Sequence, residues 1–135
     1  MPIPAFVVHD LEQAKAALKA ARERGLCVLL VSAPNAARAL GPAVWREMTV
    51  GADKAEPGAL AAALLDCGDD PGLALAALRA GVKAVRTGAA PEVRAKIADM
   101  AGQMGATIVA DRPDPACEMG GGDAFSLARD WLSRV

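Results

Sequence analysis

Short apolar runs alternate along this chain with longer segments whose apolar residues recur at helical spacing, which is the grammar of repeated β-strand and α-helix units. Ala5 to Val8 reads as a strand. Asp10 can cap the helix that follows, with Gln13 three positions on completing a capping box. Leu11, Ala14, Leu18 and Ala21 form the apolar stripe of that helix, and Gly25 supplies its stop. Cys27 to Val31 is continuously apolar, the form of a strand covered on both faces. Between residues 35 and 56, Gly41-Pro42 interrupts the pattern and predicts two short helices.

A third strand is expected at about residues 62 to 66, ending in the acidic loop Asp66-Cys67-Gly68-Asp69-Asp70. Asp70 can cap the next helix with Pro71 in its first position, and Gly81 should end it. Strand four is expected over Val82 to Arg86, an amphipathic helix over Pro91 to Met104, and strand five over Thr107 to Ala110. Gly120-Gly121-Gly122 then reads as a hinge before Asp123 caps a last helix. Consecutive βα units require right-handed crossovers and a parallel sheet. The expected fold is a single α/β domain over 1–135: an open five-stranded parallel sheet with helices on both faces, flavodoxin-like, or alternatively a half (β/α) barrel. Eight strands are not available for a closed barrel.

Aromatic residues make up 3% of the 135 and Tyr is absent, so Ala, Val and Leu must build the core. A formal charge of -1 offers no field to nucleic acid or anionic lipid, and stacking side chains are scarce, so nucleic-acid binding is not expected. No apolar run approaches the roughly 18 residues of a membrane span, and Met1-Pro2-Ile3-Pro4 lacks a basic leader; a cytoplasmic protein is expected. Cys27, Cys67 and Cys117 are widely spaced and show no zinc-ligand pattern with the one histidine. The helix from Pro71 to Ala80 carries Arg79 as its one charge, so it should be buried on more than one side, and a homo-oligomer is expected.

In open parallel sheets, polar side chains at the carboxyl ends of strands converge on one crevice. Here those ends carry His9 and Asp10, Ser32 and Asn35, Asp66 to Asp70, Arg86 and Thr87, then Asp111 and Arg112. His9 and Asp66 are the candidate catalytic groups, His9 because imidazole titrates near neutrality and Asp66 because it sits on the strand itself. Asp10, Ser32, Asp66, Asp69, Arg86, Thr87 and Arg112 are the candidate ligand-binding set. Asp66 and Asp69 in the acidic loop could hold Mg²⁺, and Asp10 could add another ligand if the first and third strands are neighbours. Arg86 and Arg112 would attract an anion. Cys67 lies between carboxylates, which oppose thiolate formation.

The stretch Gly72-Leu73-Ala74-Leu75-Ala76-Ala77-Leu78-Arg79-Ala80-Gly81-Val82-Lys83-Ala84-Val85 resembles a βαβ unit of aldolase-like barrels, which implies parallel βα geometry. Asp66 after strand three, Thr87 after strand four and Arg112-Pro113 after strand five are similar in order to response-regulator receiver domains. That resemblance implies phosphoryl acceptance at Asp66 with Mg²⁺. The chain departs from it with His9-Asp10 in place of an acidic pair and Arg112 in place of a Lys. The overall pattern is similar to small bacterial α/β proteins. The expected function is binding of a small molecule or anion at the carboxyl edge. Assembly through apolar helices is the alternative, and receiver-like or Mg²⁺-dependent phosphoryl transfer comes third.

Overall fold

A computed structural model describes residues 3–135. The elements are β1 (Ala5–Val7), α1 (Leu11–Glu23), β2 (Val28–Val31), α2 (Ala37–Leu40), α3 (Pro42–Ala55), β3 (Leu60–Asp66), α4 (Pro71–Arg79), β4 (Ala84–Arg86), α5 (Pro91–Gln103), β5 (Thr107–Val109), β6 (Cys117–Glu118) and α6 (Ala124–Leu132). They form an open parallel sheet flanked by helices, with strand order β5-β4-β3-β2-β1-β6. The sheet therefore has six strands where the sequence predicts five. The order is consecutive from β1 to β5 and turns back at β1, whose second neighbour is β6.

The chain divides into two compact units, residues 1–31, 47–63 and 113–135 in the first, and 32–46 and 64–112 in the second. The division cuts through β3, with no linker between its two halves.

In the first unit β1 is held on both sides in parallel register, Phe6 lying opposite Leu30 of β2 and Cys117 of β6. Phe6, Val28, Leu30 and Val31 are fully buried, so this is the centre of the unit's core. Ala14, Ala17, Leu18 and Ala21 give α1 a smooth buried face, and α6 packs against this helix through its own buried Ala128 and Leu132. Such small side chains let helix axes approach closely. Asp10 caps α1 as expected, its Oδ1 accepting from the Gln13 N–H at 2.8 Å. The return arm of the box is displaced by one residue, because Gln13 Oε1 accepts from the N–H of His9 rather than that of Asp10, at 2.7 Å.

Helix α3 is longer than the sequence pattern predicts, running 14 residues from Pro42. Gly41, at φ +84°, takes the break, so Pro42 opens a new helix and interrupts none. Trp45, Thr49 and Ala52 are buried at helical spacing along it.

In the second unit Leu65 lies opposite Val85 of β4, and Val85 opposite Ile108 of β5. Both βαβ connections step the same way along the sheet, so right-handed crossovers place α4 and α5 on one face. Leu65 and Val85 are fully buried there. Strand alternation sends Leu64, Asp66, Ala84 and Arg86 to the other face, with Asp66 directly opposite Arg86. That register begins the site.

Candidate functional site: a buried carboxylate between two arginines

Asp66 is the last residue of β3, and its side chain is 1% exposed. An ionised carboxylate in that position needs donors at every lone pair, since an uncompensated buried charge costs several kcal/mol. The end of β4 and the loops beyond the strands supply them. Arg112 Nη1 donates to Asp66 Oδ2 at 2.8 Å, and Arg86 Nη1 lies 3.5 Å from Oδ1. The Gly68 N–H donates to Oδ1 at 2.8 Å, and the Asn35 N–H also donates to the carboxylate. Ser32, fully buried, accepts the N–H of Asp66 on its Oγ at 2.9 Å and donates to the Ala33 carbonyl.

Backbone shape follows from these contacts. Gly68 turns with φ +59°, and a Cβ there would meet Asn35 Oδ1 at 2.5 Å, so glycine is required by both conformation and space. The Gly68 carbonyl accepts from the Gly88 N–H at 2.8 Å and from Thr87 Oγ1 at 3.0 Å, tying the β3 loop to the β4 loop. Thr87 is fully buried, and its oxygen also accepts from Ala89 N–H. Its part is to staple the two loops. Arg86 is fixed by a further bond, Nε donating to the Ala110 carbonyl at 2.8 Å.

Burial alone would raise the Asp66 carboxyl. The Arg112 hydrogen bond, the Gly68 and Asn35 amides and the Arg86 charge outweigh it and hold the group below its ordinary value. Asp66 is thus an anion at neutral pH, with its lone pairs already engaged by cations and amides. Burial, with the charges of Asp66 and Asp70 beside it, pushes the Cys67 thiol up to about 12, so this thiol stays protonated and is not a nucleophile. Asp70 caps α4, accepting from Gly72 and Leu73, and lies 3.4 Å from Arg38 of α2. Asp69 is exposed and rests its carboxylate over Gly88.

Of the candidate binding residues, the structure therefore brings Ser32, Asp66, Asp69, Arg86, Thr87 and Arg112 together within the second unit. His9 and Asp10 belong to the first. There the His9 ring meets the carboxylate of Glu118 across the β1–β6 pair, at the carboxyl ends of both strands. A Cβ on Gly120 would lie 3.0 Å from Glu118 Oε1 and 3.8 Å from His9 Nε2, so this glycine keeps space open beside the pair. Glu118 is not among the residues that the sequence pattern singles out, because it depends on β6. Strand β6 ends two residues before Gly120-Gly121-Gly122.

Two features bear on the Mg²⁺ expectation. In the sheet order β2 separates β1 from β3, so the first and third strands are not neighbours. Asp10 spends Oδ1 on its helix cap. Among the described residues no three His, Cys, Asp or Glu side chains form a metal-binding group.

Fold and site define an open parallel α/β protein with an arginine-bound carboxylate at the carboxyl ends of its strands. No protein-family model matches this chain, and no curated protein matches it.

Proposed function

We propose that the second unit binds a small anionic molecule at the carboxyl ends of β3, β4 and β5, through Arg86 and Arg112. One observation carries this reading: two guanidiniums converge on one buried carboxylate, which cannot use all of their N–H donors. The arginine side chains are 23% and 25% exposed, so donors not spent on Asp66 remain within reach of solvent. A planar guanidinium whose position is fixed by Asp66 and the Ala110 carbonyl loses little freedom on binding a carboxylate or phosphate. In open parallel α/β sheets, ligands enter beyond the carboxyl ends of the strands, the edge at which both arginines lie. Titration of the protein with inorganic phosphate and with small carboxylates should give saturable binding. Arg112→Gln should weaken it by about tenfold, the scale of one charge-assisted hydrogen bond. Equal binding by the two proteins, or none by either, would overturn the reading.

A second reading, assembly, is supported by a shallow apolar groove of about 280 Å³ between α4 and α5, lined by Leu75, Leu78, Arg79, Met100, Gln103 and Met104. Met100 and Met104 are 39% and 42% exposed, while Leu78 is almost buried. Covering such side chains stabilises association by about 1.5 to 3 kcal/mol for each one fully buried. A homodimer seated on this groove should dissociate in Leu75→Glu, as read by light scattering. A monomeric wild type at micromolar concentration would remove this reading. Receiver-like phosphoryl transfer has the strand-five cation in its favour, since Arg112 contacts Asp66 directly, but the acid after strand one is spent on a helix cap.

A further inference from the structure

Building on the anion-binding reading, we infer that the ligand carries a hydrogen-bond donor on the carbon next to its carboxylate, a hydroxy or amino acid, and that Asp69 accepts from that donor. Gly88 is the key position. It has no unusual φ that would demand glycine, yet a Cβ there would collide with Asp69 Oδ1 and lie 3.1 Å from Arg86 Nη2. An acid and a guanidinium therefore converge over the same bare stretch of backbone, and among the described residues no ion pair joins them; Arg86 pairs with Asp66 instead. Gly88 is held in place by its N–H on the Gly68 carbonyl, which fixes the two loops side by side.

A plain anion would use the arginines and leave the neighbouring Asp69 carboxylate as a repulsive charge. A ligand with an O–H or N–H on the carbon next to its carboxylate satisfies both signs: the carboxylate takes the guanidinium donors, and the donor group points to Asp69. The opposed pair thus selects against simple carboxylates and inorganic phosphate, because repulsion is offset where the ligand brings a proton to share. Asp69 acts here as a specificity-determining residue. Its exposure means that Asp69→Asn leaves the core untouched.

The test is a chemical-shift titration of wild type, Asp69→Asn and Gly88→Ala with acetate, glycolate, glycine and inorganic phosphate. Wild type should prefer glycolate or glycine over acetate by about fivefold or more, the scale of one hydrogen bond to a charged group. In Asp69→Asn, which keeps an acceptor oxygen and loses the charge, the preference should narrow as acetate and phosphate gain affinity. In Gly88→Ala, where the methyl displaces the Asp69 carboxylate, it should be lost. Equal binding of acetate and glycolate by wild type would overturn this inference and leave anion binding standing, as would a preference of unchanged size in Asp69→Asn. Absence of binding by all four ligands would overturn the anion reading itself, and this inference with it.

Discussion

Replacing Asp66 by Ala should destabilise the protein by about 3 kcal/mol and lower its melting temperature by roughly 10 °C, because the change strands several donors at once. The guanidiniums of Arg86 and Arg112 lose their shared counter-charge, and the amides of Gly68 and Asn35 lose their acceptor. The partial exposure of both arginines moderates the loss, since water can reach part of each head group. Asp66→Asn isolates the charge while keeping an acceptor oxygen. The folded-state pKa of Asp66 is lowered, so its ionisation contributes stability that is fully present above the unfolded value of about 3.9 and is lost as pH falls through the folded value. Thermal melts of wild type and Asp66→Asn should stay a constant distance apart near neutrality and draw together below about pH 4. Curves that run parallel down to pH 2 would show that the carboxylate's charge does not stabilise the fold.

Phe6→Ala should cost about 3 to 5 kcal/mol, the range for removing a fully buried aromatic ring from a core. Phe6 is 0% exposed and sits in the strand that both β2 and β6 pair with, so collapse around the vacancy would have to bend three strands together. Its effect also tests cooperativity. Trp45 lies in the second unit and Trp131 in the first, one reporter in each. Because β3 runs through the division without a linker, we expect one unfolding transition. Fluorescence of Trp45, followed alone in a Trp131→Phe background, should then shift with Phe6→Ala by as much as the circular dichroism does. A Trp45 transition that ignores Phe6→Ala would mean that the units unfold separately.

Much of this architecture can be read from local chemistry. Asp10, Asp70 and Asp123 each precede a run of helical periodicity, and each accepts backbone N–H groups at the start of its helix. Asp66 ends β3 as the apolar run before it predicts, and β3 begins earlier than residue 62, because Leu60 and Ala61 are held by the sheet in spite of alanine's helical preference. Tertiary pairing decided what local pattern could not. Strand β6 is two residues set among prolines and glycines, with no periodicity to betray it; its order comes from the edge of β1, where the Met119 N–H donates to the Val7 carbonyl at 3.0 Å. Glu118 as the partner of His9 was illegible for that reason.

The candidate cluster shows the same divide. Asp66, Arg86 and Arg112 can be listed from strand ends alone, but their mutual engagement depends on register, since a slip of one residue between β3 and β4 would send Arg86 to the opposite face. Likewise the staple made by Thr87 and the placement of Asp69 over Gly88 depend on two loops meeting, which no spacing in the chain announces.

The two outermost strands, β5 with three residues and β6 with two, leave the sheet very little free edge. An uncovered strand edge is a template on which another chain can add, and fibril growth needs a long flat row of free amides. Gly105 precedes β5, while Pro113 and Pro115, which have no N–H to donate, precede β6. Rows so short, with such flanks, give an incoming strand too few partners to hold. In a chain this rich in alanine, valine and leucine, such short edges should disfavour strand addition at either end of the sheet.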